Sequence, residues 1–291
     1  MIGIIGGNFF ANALVQELEK TVDIRLISTD LRDPQLAEKA ADMEIIHYIY
    51  SPIVTVGGLR SVQKLKKMKK KIIIHWIGTD VYNALNSYKS KFITKKYKDL
   101  IDVHLAVHSR LVNELNSVGI SCQEVPLPTF RLYPVNPIPV KKKILVYLPD
   151  SRSDFFGKPV IDKLFDSFPE LDFIVLPNSG KDYSRTNVTC LSWVDNMEEI
   201  YRDIALFIRL PVHDGLPNSV IEALSMGRYV IYSQEFPYCE YASSFEEVKT
   251  NLMNILQKSS PNEEGSNYVY SNYNKNRIIE KILDIYKQLT Q

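Results

Sequence analysis

Short apolar runs alternate with segments of helical periodicity along the chain, and this alternation constrains the fold more than any other feature. Near residues 2–5, 24–27, 45–49, 72–76 and 103–107 the sequence is almost continuously apolar, and each run is followed by a loop and a helical or polar stretch. Runs without polar alternation suit strands buried on both faces, as in parallel sheets covered by helices. The expectation is an α/β chain built from doubly wound βαβ units.

The segment QEVPLPTFRLYPVNPIPVKKK interrupts the pattern with Pro126, Pro128, Pro134, Pro137 and Pro139, which disfavour both a helix and an internal strand. Beyond it the pattern restarts, with strands expected near 144–148, 173–176, 188–191, 205–210 and 229–232 and helices near 160–168, 197–202 and 217–226. SFEEVKTNLMNILQK reads as a further helix and is followed by a polar, Asn- and Ser-containing connection. A last amphipathic helix is built on Ile278, Ile282, Ile285 and Leu289. The expected division is a first domain over 1–128, a linker over 129–142, a second domain over 143–275 and a terminal helix over 276–291 that packs back on the first domain.

A chain of 291 residues can bury two such cores without disulfides or metals. The three cysteines, Cys122, Cys190 and Cys239, are far apart and fit no zinc-ligand spacing, so a reducing compartment is expected and no metal site is read. No apolar run approaches the roughly 20 residues of a spanning helix, and no export signal is read, so the expected location is the cytoplasm. A net charge of +1 argues against nucleic acid as a partner. Locally the balance differs, because eleven lysines and one acid, Asp80, lie between Arg60 and Lys98. SVQKLKKMKKK puts Val62, Leu65 and Met68 on one face, and YKSKFITKKYKDL interleaves Tyr88, Phe92 and Tyr97 with more lysines. The cluster Lys66, Lys67, Lys69, Lys70, Lys71, Lys95 and Lys96 therefore reads as a peripheral contact with an anionic membrane surface, with a solvated face or a polyanion-attracting patch as alternatives.

Ligands of open α/β sheets bind beyond the carboxyl ends of the strands, so two such domains are expected to face one central cleft. The richest strand-end segment is IRLPVHDGLPNSVIEALSMGRYVIYS. There Pro217 suits the first turn of a helix, Asn218 or Ser219 can cap amides, and Gly227 suits the stop. Unpaired amides at such a helix start attract an anion, Gly215 permits close approach of a phosphate, and Asp214 and Glu222 offer carboxylates to sugar or ribose hydroxyls. A capped crossover with Val220, Ile221, Leu224 and Met226 as its core is the competing structural reading.

With GLPNSVIEALSMGRYVI between and after them, Asp214 and Glu222 resemble the E-x7-E region of retaining family-four-like glycosyltransferases. That resemblance implies the GT-B fold, two Rossmann-like doubly wound domains, and a sugar moved from a nucleotide-diphosphate donor to a saccharide or lipid-linked acceptor in surface-polysaccharide or glycan biosynthesis. It implies no metal and no cofactor beyond the donor itself. Glu222 would hold the donor ribose and Asp214, an Asp in place of the family's first Glu, would lie near the transferred sugar. Gly215, Leu216, Pro217 and Asn218 would cradle the diphosphate.

In LVYLPDSRSDFFGKPVID, Arg152 and Lys158 would stabilise the leaving diphosphate, although Ser151 stands where the family has Gly. Trp193 or Asp195 could line the base pocket. GIIGGNFFANAL lacks the G-x-G-x-x-G order of dinucleotide sites, which weighs against a dehydrogenase, and Gly6 and Gly7 are placed on the acceptor side. IIIHWIGTDVYNAL is similar to the W-x-G-x-D-x-Y loop of bacterial surface-polysaccharide transferases, which puts Thr79 and Asp80 on the acceptor side. Asp80 would bind the acceptor hydroxyl or take its proton, or else cap a helix. His75 is expected to pack on its strand, and His108 in LAVHSRLVNEL to reach the cleft. A non-hydrolysing sugar-nucleotide epimerase and a catalytically inactive nucleotide-sugar-binding subunit are the alternatives.

Overall fold

A computed structural model describes residues 1–291, the side chain of Asn8 excepted. The chain forms two compact units. The first comprises Met1–Thr129, His213–Leu216 and Tyr273–Gln291, and the second Phe130–Val212 and Pro217–Asn272.

The first unit runs β1 (Ile2–Gly6), α1 (Asn8–Leu18), β2 (Ile24–Ser28), α2 (Leu36–Lys39), β3 (Ile45–Ile49), α3 (Val56–Lys67), β4 (Lys71–Trp76), α4 (Thr79–Asn86), α5 (Tyr88–Tyr97), β5 (Val103–Ala106), α6 (Ser109–Ser117) and β6 (Gln123–Glu124). All its strand pairs are parallel, in the order β2-β1-β3-β4-β5-β6. β1 and β3 are buried at every position, which is why IGIIG and IIHYI show no polar alternation.

The second unit runs β7 (Lys143–Tyr147), α7 (Lys158–Ser167), β8 (Phe173–Leu176), β9 (Val188–Cys190), α8 (Met197–Asp203), β10 (Ile204–Arg209), α9 (Asn218–Ser225), β11 (Tyr229–Tyr232), β12 (Glu240–Tyr241), α10 (Phe245–Leu256) and α11 (Glu263–Asn272). Its sheet is again parallel, ordered β12-β11-β10-β7-β8-β9. Counted within the unit this is the 3-2-1-4-5-6 order of dinucleotide-binding folds. α12 (Lys275–Thr290) belongs to the first unit, where Ile278, Ile282, Ile285 and Tyr286 are buried.

One correction to the sequence reading concerns a helix. The polar connection before the last helix is itself helical, α11. Its Gly265, Ser266 and Val269 are buried, and the Ser266 hydroxyl donates to the Ser225 carbonyl (2.7 Å), so small residues and one hydrogen bond fix a segment with a weak apolar pattern. The lysine- and aromatic-containing stretch after β4 folds as the pair α4 and α5 before the next strand.

Candidate functional site

Sheet order decides where each unit offers a crevice. A strand order that reverses leaves the loops of two adjacent strands diverging, and ligands bind at that point beyond the carboxyl ends. In the second unit the reversal lies between β7 and β10, which pair from Lys143 against Ile204 to Val146 against Ile208. The loops leaving these strands carry Arg152 and the segment leading to α9.

Arg209 ends β10 and is almost wholly buried, its guanidinium 4.2 Å from the Tyr147 ring centroid and 5.7 Å from that of Phe156. The sequence reading passed over this arginine, since one cation closing an apolar strand carries no motif. Arg152 is exposed, has left-handed backbone (φ 61°), and lies over the Phe155 ring at 4.2 Å. Lys158, the first residue of α7, donates to Asp162 (2.7 Å) and to the Tyr183 hydroxyl (3.3 Å), so its charge is already partnered within the unit.

α9 begins one residue later than expected. Pro217 is the N-cap, with extended backbone (ψ 121°), and its ring offers the first turn no side-chain hydrogen bond. Gly227, with φ 77°, follows its last turn. Glu222 is half-buried: Oε1 accepts from the Arg131 amide (3.0 Å) and Oε2 from the Tyr201 hydroxyl (3.2 Å). Burial foremost, and then the Glu222 charge, push the Tyr201 phenol well above its ordinary value, so it stays protonated and donates. Tyr201 and the Arg131 amide were not foreseen, because they lie 21 and 91 residues from the carboxylate they hold. Trp193 is 65% exposed and donates to Asp195 (2.8 Å), consistent with a surface ring held by its own loop.

Asp214, Gly215 and Leu216 belong to the first unit. Asp214 accepts from the Gly215 amide (3.0 Å), its carbonyl accepts from the Arg110 guanidinium, and neighbouring His213 meets Glu114 (2.9 Å). A side chain at Gly215 would run into the Ile77 carbonyl, and one at Gly78 (φ 137°) would come 2.7 Å from the Gly215 amide nitrogen. Backbone packing thus accounts for the glycine at position 215, which was expected to admit a phosphate.

The reversal in the first sheet lies between β1 and β3. Beyond their carboxyl ends is a cavity of about 550 Å³ lined by Gly7, Phe9, Phe10, Thr29, Asp30, Leu31, Arg32, Ile49, Tyr50, Thr55 and Ile77. Gly7 borders this space. Gly6 lacks a side chain because β1 packs tightly against Ile49 of β3. Tyr50 carries a φ of 86°, strain of the kind that accumulates at ligand sites, and its hydroxyl accepts from Asn83 (3.0 Å).

Asp80 does not meet the expectation of a contact with an acceptor hydroxyl. It is completely buried, with Oδ1 accepting from the amides of Ile77 (3.1 Å), Gly78 (2.9 Å) and Val81 (3.1 Å) and Oδ2 from that of Ser51 (2.9 Å). Burial raises its carboxyl above the ordinary value while these amides oppose the rise. An Asp so occupied fixes the loop after β4 and has no exposed oxygen to offer. Thr79, half-buried, opens α4 beside it. His108 is likewise occupied, for its Nδ1 accepts from the Arg110 amide (3.2 Å) as the N-cap of α6. Burial lowers it to about 4, leaving it neutral near pH 7.

His75 is buried on its strand as expected, and it belongs to a chain of three groups. The Tyr286 hydroxyl meets His47 Nδ1 (2.7 Å), His47 Nε2 meets His75 Nδ1 (3.3 Å), and His75 Nε2 meets the Val125 carbonyl (2.6 Å). Burial keeps both imidazoles neutral, and the carbonyl can only accept, so each ring donates from Nε2 and accepts at Nδ1. No group of metal-ligating side chains occurs among the described residues, and no described helix is long and apolar enough to cross a membrane.

No family model and no curated protein matches the sequence. Solved structures do match. Anabaena HepE, in complex with UDP and glucose, aligns over 99% of both chains at 9% identity with a TM-score of 0.71. A Listeria monocytogenes protein assigned as a UDP-N-acetylglucosamine 2-epimerase aligns over 98% of this chain and 95% of its own at 13% identity and TM-score 0.61. The pneumococcal O-GlcNAc transferase GtfA, in complex with UDP and GlcNAc, aligns over 84% of this chain and 57% of its own at 11% identity and TM-score 0.60. The chain has the GT-B fold of two Rossmann-like units.

Proposed function

We propose that the chain is a glycosyltransferase that moves a sugar from a nucleotide-diphosphate donor to a saccharide or lipid-linked acceptor, in surface-polysaccharide or glycan biosynthesis. One observation carries the reading: the 3-2-1-4-5-6 sheet puts the start of α9, a buried arginine and the tethered carboxylate of Glu222 on the elements around its reversal point. The helix dipole at the start of α9 suits a diphosphate, and Glu222 suits ribose hydroxyls. Arg209 and Arg152 supply the cations that a departing diphosphate needs, and the ion-paired Lys158 is assigned a supporting role.

The acceptor is assigned to the first unit's cavity, whose aromatic and aliphatic lining with Asp30 and Arg32 suits a sugar ring and its hydroxyls. The resemblance of Asp214 and Glu222 to the E-x7-E region favours retention of configuration, a route that needs no separate base. That accords with the occupied state of Asp80 and His108. The likeness to HepE and GtfA, both solved with UDP, makes UDP-sugars the first donors to try.

Incubation with a panel of labelled nucleotide sugars should release nucleoside diphosphate by transfer or slow hydrolysis, and Glu222→Gln should suppress it. Thermal stabilisation by donors without turnover would leave a binding subunit instead. The fold shared with the Listeria protein over nearly its whole length favours epimerisation as the second reading. A sugar nucleotide recovered with an inverted centre would establish it.

A further inference from the structure

α5 has two faces of opposite character. Inward, Ser90, Ile93 and Thr94 are buried, and the hydroxyls of Ser90 and Thr94 donate to the carbonyls of Val54 (2.8 Å) and Ile53 (3.2 Å) in the short 3-10 turn Pro52–Val54. Outward, Tyr88 is 90% and Phe92 58% exposed, one helical turn apart, with Lys89, Lys91, Lys95 and Lys96 exposed around them. Lys96 lies 5.8 Å from the Phe92 ring centroid and 5.3 Å from that of Tyr97. The sequence holds no acid from Val81 to Lys98, and none of these four lysines has a carboxylate partner among the described residues.

Two lysines at the end of α3 and just after it differ. Lys66 is paired with Asp102 (2.8 Å), and Lys70 donates to the Ala41 carbonyl (2.6 Å). Lys66 and Lys70 are thus engaged within the unit, near the start of β4.

Large exposed rings are costly in water, and their grouping with unpaired ammonium groups matches an anionic lipid interface, where aromatic rings sit at headgroup depth and lysines meet phosphates. We propose that the outward face of α5 docks the protein on an anionic lipid bilayer, the contact resting there and not on Lys66 or Lys70. The turn that anchors α5 is flanked in sequence by Tyr50 and Thr55, both in the lining of the first unit's cavity. Docking through α5 would hold that cavity near the membrane, where a lipid-borne sugar acceptor is presented. This last step rests on the transferase reading, whereas the membrane contact does not.

The test is co-sedimentation of the full chain, without donor, with vesicles of phosphatidylcholine and phosphatidylglycerol at two to one or of phosphatidylcholine alone. The parent should bind the mixed vesicles only and be released by salt. Joint Lys89→Glu, Lys91→Glu, Lys95→Glu and Lys96→Glu should abolish binding, since each lysine withdrawn weakens it roughly fivefold. Tyr88→Ser with Phe92→Ser should weaken it at unchanged charge, and Lys66→Gln with Lys70→Gln should leave it intact. The α5 changes touch exposed side chains only, so their melting temperatures should stay parental, which separates lost docking from lost folding. The proposal is overturned if the parent ignores mixed vesicles, if either α5 variant binds like the parent, or if the chain captures a soluble anionic polysaccharide but no vesicle. Loss of vesicle binding with donor hydrolysis retained, or the reverse, distinguishes the fate of this proposal from that of the transferase reading.

Discussion

The carboxyl-edge loop after β4 and the reversal point of the second sheet both present a carboxylate near a helix start, and they use it in opposite ways. Asp80 is fully enclosed and accepts from four backbone amides, whereas Glu222 is half-buried and held by one amide and one phenol. A carboxylate has about four acceptor sites, so the first is used up in shaping its own loop. The same closure recurs in the first unit at His47, His75 and Tyr286, which satisfy one another in the interior. Substitutions in the first group should therefore cost stability, and substitutions at the second should cost ligand.

The largest effect is expected at Asp80. Asp80→Ala strands four buried amides, and urea denaturation should show a loss of about 3 kcal/mol or more. A near-parental midpoint would break the comparison. Acid should bring a loss of similar size. His75 is held at about 4 in the folded state and His47 well below its ordinary 6.5, both by burial, while the unfolded chain takes up protons from about 6.5 downward. The stability gained by keeping these rings neutral is complete above that value and drains away as pH falls toward about 4, on the order of 3 kcal/mol from His75 alone. Denaturation midpoints that stay level between neutral pH and the mid-acid range would contradict the buried, neutral pair.

Gly215→Ala forces the chain away from the Ile77 carbonyl and should lower stability by about 2 kcal/mol, read as a fall in Tm. Glu222→Gln should change stability by about 1 kcal/mol or less while weakening donor-induced thermal stabilisation at least about tenfold in apparent affinity. Lost folding with undiminished donor binding would make Glu222 a second Asp80. The smallest effect is expected for Tyr286→Phe, which removes one hydroxyl donor to His47 and should cost about 1 kcal/mol by the same denaturation measurement.

Much of the fold is legible in the primary structure. The apolar runs at 45–49, 72–76, 173–176 and 205–210 fall on β3, β4, β8 and β10, because a strand covered on both faces must be apolar throughout. α11 escaped that reading, since its buried positions are small or polar and make no apolar stripe. Around the candidate site, Glu222 and the start of α9 stand out from their local pattern, whereas Arg209 and Tyr201 do not. A lone arginine ending a strand, or a tyrosine in a short helix, becomes noticeable only when the rings and carboxylate around it are seen.

The sequence by itself determined the class of fold and the loops where chemistry could be sought, because hydrophobic periodicity and turn residues act over a few positions. Only the tertiary structure decided which carboxylate is consumed by backbone amides, which histidines share a buried proton chain, and which lysines face water unpaired. A hydrogen bond or an ion pair depends on atoms that distant segments bring within about 3 Å, and that proximity is written in no local pattern.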